Sequence, residues 1–423
     1  MPAQSLVERD AKVIWHPDTQ MFTEPAPIPV VRGEGALLID EQGQTYIDAD
    51  ASWWVNTIGH GHPLVAERIA AQVRQLEHCI FACLTHEPAV QLAERLLQVL
   101  PGTCSRIFYS DDGSTSVEVA LKMAIQYWHN QGVPRTKILA LEGGYHGDTF
   151  GSMSVGAKSV FTTPFEPYLF EVTYLPLPEA DKPFPLDEAS LQQYAAFIFE
   201  PLIQGAGGMR MYDAAALDAW LQICRNQDVL LIADEVMTGF YRTGKMFACD
   251  YLQCKPDIIC LSKGLTGGTL PLGVTACTEK IFEAFLSRDK RKTFFHGHSY
   301  TANPIACVAA LTSLDILQTP SMQHQIQRIA ARHEEFLQKL QAYPCFHNTR
   351  YLGTIAAFEV LSESNYTSPL RDELYLFYLQ RSVLMRPLGN SLYVMPPYCI
   401  TDAQLQQVYE ATYALGDKLL QQT

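Results

Sequence analysis

Charge is sparse in this chain. Of its 423 residues, Asp, Glu, Lys and Arg make up 18%, against 48% hydrophobic residues. A disordered solvated chain is therefore excluded, and a globular one with a sizeable core is expected. Positive charge is the scarcer sign, with 31 Lys and Arg against 45 Asp and Glu and a formal net charge of −14. An acidic surface repels phosphate backbones and anionic lipid, so neither nucleic acid nor a membrane is expected as a partner. No apolar run reaches the roughly 18 residues that span a bilayer. The opening stretch MPAQSLVERDAKVIW carries charge early and has no signal-peptide core, so a cytoplasmic protein is expected. The eleven cysteines form no CxxC pair and sit mostly in apolar context, as in Cys224, Cys260 and Cys307. They read as free thiols in a reducing compartment. Internal repeats and low-complexity linkers are also lacking.

What is present is an alternation of helical and strand-like segments. The runs 106–110, 137–143, 195–201, 229–234 and 257–262 are short and nearly all apolar, as strands buried on both faces are. Helical periodicity marks 63–78, 88–100, 114–128 and 213–227. The fold class expected is α/β, with a mostly parallel sheet between helices. After residue 316 the rhythm changes to a long helix at 321–342, strands near 351–360, 383–386 and 392–395, and a last helix from Thr401. The expected division is an N-terminal segment 1–58, a large domain 59–316, and a smaller α+β domain 317–423 against which the N-terminal segment packs.

In a sheet of this kind, ligands sit beyond the carboxyl ends of the strands. Lys263 and Asp234 each follow or close such a strand, about one βαβ repeat apart. Gly113 and Ser114, in SDDGSTS, lie where a strand passes into a helix, a place suited to a phosphate. Tyr145, in GGYHGD, is an aromatic on a glycine loop after a strand, able to lie on a planar ligand. Taken singly, these are an ion pair, a helix cap and a surface turn. Together they match a planar, phosphorylated pyridine aldehyde held by a lysine. The Gly-His loops 59–62, 145–148 and 296–298 have no Cys or carboxylate at metal-motif spacing, so no metal is expected.

The stretches LLIADEVMTGFYRTGKMFACD and PDIICLSKGLTGGTLPLGV resemble the class III aminotransferases of fold type I, and the likeness runs over essentially the whole chain. IWHP, ASWW, DDGSTSVEVALKMAIQYW, EPLIQGAGGMRMY, HGHSYTANP and MRPLGNSLYVMPPY bring it nearest to the branch that aminates 8-amino-7-oxononanoate in biotin biosynthesis. That resemblance implies pyridoxal 5'-phosphate as cofactor and S-adenosylmethionine as amino donor in a ping-pong reaction. It further implies a homodimer with shared active sites. Lys263 would hold the cofactor covalently and shuttle a proton, Asp234 would keep the pyridine nitrogen protonated, and Tyr145 would stack on the ring. Gly113 and Ser114 would bind the phosphate, joined by His298 and Ser299 from the other subunit. Trp53, Gly297, Arg386 and Tyr393 would form the substrate pocket, with Arg386 on a carboxylate.

One position departs from the family. Asp18 stands where an aromatic is usual after WHP. As a turn residue it caps backbone amides. As a pocket residue it favours donors with a distal cation, which both S-adenosylmethionine and lysine carry. Competing readings are an ω-amino acid aminotransferase of the same class and a non-catalytic phosphate-ligand sensor, which has no need of Lys263. A P-loop hydrolase fails because KGLTGG is not GxxxxGK[ST].

Overall fold

The structure is a computed structural model that describes residues 4–360 and 369–421. Its centre is a seven-stranded sheet in the order Cys104–Ser110, Gly273–Thr278, Ile258–Leu261, Leu230–Asp234, Tyr194–Phe199, Lys137–Leu141 and Thr173–Leu175. All are parallel except Gly273–Thr278, which runs antiparallel to both neighbours. Every residue of Leu230–Asp234 and Tyr194–Phe199 is buried, because helices cover both faces. Gly113–Asn130 packs one face through Val117, Ala120 and Ala124, in one cluster with Ile198 and Ile232. Ala214–Asn226, capped by the Asp213 carboxylate, packs the other through Leu217 and Trp220.

The sequence pattern located these elements to within a few residues. The antiparallel strand and the edge strand Thr173–Leu175 escaped it, since neither has a distinctive run. The expected helix 63–78 ends at Gln75, and the strand expected at 383–386 is only Val383–Leu384.

The two ends of the chain meet in a smaller unit. Thr45–Asp48 pairs in parallel with Val383–Leu384, at the edge of a four-stranded sheet with Val30–Glu34 and Leu37–Asp40. Phe346–Leu352, Ile355–Val360 and Ser391–Val394 form a second, antiparallel sheet. The helices Pro320–Leu340 and Asp402–Leu420 pack on it, with the Phe336 and Tyr409 rings stacked at 4.2 Å. Among the described residues no single helix is long and apolar enough to cross a membrane. All eleven cysteines are unpaired.

Candidate active site

The loops that leave the carboxyl ends of the parallel strands enclose a cavity of about 630 Å³. Five of the residues singled out in the sequence lie on its wall: Gly113, Ser114, Tyr145, Asp234 and Lys263. Separate strands supply them, and the common strand direction brings their ends to one edge.

Asp234 ends its strand buried, with Oδ2 2.7 Å from His146 Nδ1. A carboxylate only accepts, so Nδ1 carries the proton. Its Oδ1 accepts the Val236 N–H at 3.1 Å. Burial pulls the His146 imidazole down, but the bond to Asp234 and the charges of Asp234 and Glu200 outweigh it and leave His146 above its ordinary value. Glu200, at the end of the next strand, accepts the Tyr145 and Gly205 N–H groups, both at 2.9 Å. Burial pushes its carboxyl up to about 7.

Lys263 follows the strand Ile258–Leu261 with a left-handed φ of 46°. A non-glycine residue held there stores strain, which is common at functional sites. Its amine sits 4.5 Å above the Trp54 ring, within cation–π range. No carboxylate pairs with it among the described residues, and burial brings the amine down to about 8.

At the other end of the cavity the helix Gly113–Asn130 begins. Asp112 caps it by accepting the Thr115 N–H at 2.8 Å, and the Thr115 and Ser116 hydroxyls bond back to nearby carbonyls. The helix-cap reading thus holds for Asp112, Thr115 and Ser116. The N–H groups of Gly113 and Ser114 have no acceptor among the described residues. A Cβ on Gly113 would meet Val236 Cγ1 at 2.7 Å, so only glycine lets the backbone lie this close to the wall. Gly147, at φ 120°, crosses Ser114 so tightly that its own Cβ would come within 2.3 Å of Ser114 Oγ.

These features fit a planar anionic aldehyde. Two free amides and a helix N-terminus would meet the anion, an amine would meet the aldehyde, and a carboxylate would face the ring nitrogen. The fit rests on the two unpartnered amides, the Lys263 amine and the Asp234 carboxylate in one cavity, independent of any resemblance.

The remaining sequence candidates lie elsewhere. Trp54, not Trp53, lines the cavity. Trp53 is 40% exposed, with the Arg386 guanidinium 4.9 Å above its ring. The Arg386 backbone N–H donates to Asp50 Oδ2 at 3.0 Å, but its guanidinium has no ion pair among the described residues. Arg386 also borders a second cavity of about 340 Å³ with Asp10, His16 and Arg371. Tyr393 is buried behind Trp54, the rings meeting edge-on at 6.1 Å. Asp18 takes a left-handed φ of 48°. Its carboxyl lies above its ordinary value through burial and the nearby charge of Asp148, opposed by Arg386. Asp148 lines the cavity and accepts the Tyr145 hydroxyl at 2.9 Å. Gly297 and Ser299 are exposed and His298 half-buried, and none borders the chain's own cavity.

The sequence reading missed His146, Glu200, Asp148, Gly147 and Trp54. Glu200 carries the same signal as Asp234, an acid ending an apolar strand. Nothing in the sequence separates Trp53 from Trp54, because which indole faces inward depends on the backbone between them.

The sequence pattern of the Aminotransferase class-III family matches residues 20–414. An adenosylmethionine-8-amino-7-oxononanoate aminotransferase of Synechococcus elongatus is 47% identical over 420 residues, covering 96% of this chain and 99% of that protein. The crystal structure of the Methanocaldococcus jannaschii protein of the same name superposes with a TM-score of 0.91 at 35% identity, covering 96% of this chain and 98% of the other. A PLP-bound amine transaminase from an uncultivated Pseudomonas species gives a TM-score of 0.87 at 31% identity, over 96% of this chain and 98% of its own.

Proposed function

The chain belongs to the class III aminotransferase family, and from that premise we propose that it transfers an amino group to 8-amino-7-oxononanoate, giving 7,8-diaminononanoate for biotin synthesis. The observation that carries this reading to a site is the half-buried Lys263, lining one cavity with the Asp234–His146 pair. The cofactor is pyridoxal 5'-phosphate, which when bound supplies an aldehyde that takes up the amino group and a cationic ring that draws electrons from the reacting carbon.

The residues divide the work. Lys263 Nζ would hold the cofactor and, as a free amine, would move a proton; at about 8 that amine is in part the free base near neutral pH. Asp234 would keep the proton on the ring nitrogen, and His146 fixes the carboxylate's orientation through its bond to Oδ2. The Gly113 and Ser114 amides would anchor the phosphate, and Tyr145, steadied by Glu200 and Asp148, would cover the ring. Arg386, whose guanidinium has no ion pair among the described residues and lies over the Trp53 ring, would bind the carboxylate of the keto acid, with Trp54 on the cavity wall and Tyr393 packed behind it. Substrates enter from solvent as small molecules.

The active unit in this reading is a cytoplasmic homodimer. Gly297 and Ser299 stand exposed and His298 half-buried, all away from their own cavity, and in this reading they complete that of a second copy. S-adenosylmethionine is the proposed donor. The test is to incubate the purified protein and pyridoxal phosphate with 8-amino-7-oxononanoate and S-adenosylmethionine, lysine or alanine in parallel. Formation of 7,8-diaminononanoate is expected, fastest with S-adenosylmethionine. Turnover of ω-amino acids with none of the 7-oxo acid would replace this reading with the ω-amino acid aminotransferase.

A further inference from the structure

Residues Ala51 to Trp54 form one turn of left-handed helix. Their φ values are 51°, 50°, 67° and 74°, with ψ of 54° at Ser52 and 43° at Trp53. None is glycine. L-residues enter this region singly and at a cost, so four in succession must be held by their surroundings.

The holder is Asp48. Its buried carboxylate accepts the Ser52 N–H at 2.8 Å on Oδ1 and the Ser52 hydroxyl at 2.7 Å on Oδ2. His60 Nε2 meets the same Oδ2 at 2.8 Å, and Asn56 Nδ2 lies 3.0 Å from His60 Nδ1. Burial alone would raise the Asp48 carboxyl, but the bonds from His60 and Ser52 bring it below its ordinary value. The far end of the turn is tied by Arg242, which donates to the Trp54 and Asn56 carbonyls at 3.2 and 3.0 Å.

The turn sets two contacts at once. Trp54 lines the cavity, beneath the Lys263 amine, and Trp53 points to solvent, beneath Arg386. Arg386 is held in register with the turn. Leu384 pairs with Asp48, and the Arg386 N–H donates to Asp50. A right-handed turn at 51–54 would swing both indoles off these positions.

We infer that Asp48 is a positioning residue for the substrate pocket: by clamping the left-handed turn, it places Trp53 against Arg386 and Trp54 against Lys263, and so sets acceptor affinity. The inference rests on the aminotransferase reading of the cavity, although the clamp itself can be tested without any substrate. Asp48→Asn keeps the size of the side chain but cannot accept all three bonds. The folded holoenzyme should show an acceptor KM raised about tenfold or more with kcat changed much less, the pattern of lost binding rather than lost chemistry. The cofactor-free variant should lose tryptophan fine structure in near-ultraviolet circular dichroism. Adding Ser52→Gly to Asp48→Asn should recover much of the KM, because glycine takes the left-handed region without penalty. Ser52→Ala, which removes one of the three bonds, should shift KM the same way by less, and it decides the matter if Asp48→Asn does not fold. An unmoved KM, a moved KM with the tryptophan signal intact, or no recovery on adding glycine would overturn the inference. If the wild type does not aminate the acceptor, the function reading fails while the dichroism arms still decide the clamp.

Discussion

The Lys263 amine lies 4.5 Å above the Trp54 ring with no carboxylate paired to it among the described residues. The indole face favours the ammonium, yet burial wins and the group falls to about 8. In the unfolded chain a lysine titrates near 10.4. The unfolded chain therefore binds more protons between those two values. Below about 8 the buried ammonium costs stability in full, and the cost fades as pH rises toward the unfolded value. Lys263→Met should stabilise the cofactor-free protein by roughly 1–3 kcal/mol at pH 7, and the gain should vanish near pH 10.5. Denaturant melts at both pH values check this. The same variant should abolish transamination and covalent retention of the cofactor under borohydride.

Asp234→Asn should slow transamination by about 100-fold or more, since a neutral amide cannot balance a protonated ring. Stability gives a second readout. His146 is raised in the folded state, so its contribution is complete below the ordinary histidine value and is lost as pH climbs through the folded one. The stability gap between wild type and Asp234→Asn should be widest below the ordinary histidine value of about 6.5 and should narrow as pH rises above it. A gap constant across that range would mean that His146 does not depend on Asp234.

Arg386→Ala should raise the Michaelis constant for the keto acid by about 30- to 1000-fold, the worth of roughly 2–4 kcal/mol for a charge-assisted bidentate pair. The protein should remain yellow, because the phosphate end of the cavity is untouched. Initial rates against acceptor concentration decide it, and an unchanged constant removes Arg386 from the pocket.

Asp18 sits in a turn at a left-handed φ of 48°, with the charges of Asp148 and Arg386 acting on its carboxyl. A cation between Asp18 and Asp148 would relieve their repulsion. Asp18→Tyr should thus reorder the donors, weakening S-adenosylmethionine and lysine relative to alanine, with the acceptor constant nearly intact. Donor half-reactions followed by cofactor absorbance measure this. An identical ranking in both proteins would leave Asp18 as a turn residue only.

Five of the seven central strands, and the candidate residues at their ends, are legible in the sequence. Apolar runs such as Leu230–Asp234 and Ile258–Leu261 are short and buried on both faces, so their type can be read from composition alone. The end of such a run is also readable, and that sufficed to single out Asp234, Lys263, Gly113 and Tyr145, because a common strand direction puts strand ends at one edge. Tertiary structure alone decided which neighbours complete the site. His146 meets Asp234 across 88 positions of sequence, and Arg386 meets Asp50 across 336. No local pattern encodes such pairings. Nor could the sequence choose between adjacent tryptophans. A left-handed turn opposes the intrinsic preference of its own residues, and only Asp48, His60 and Arg242, brought in from other elements, hold Trp54 inward and Trp53 outward.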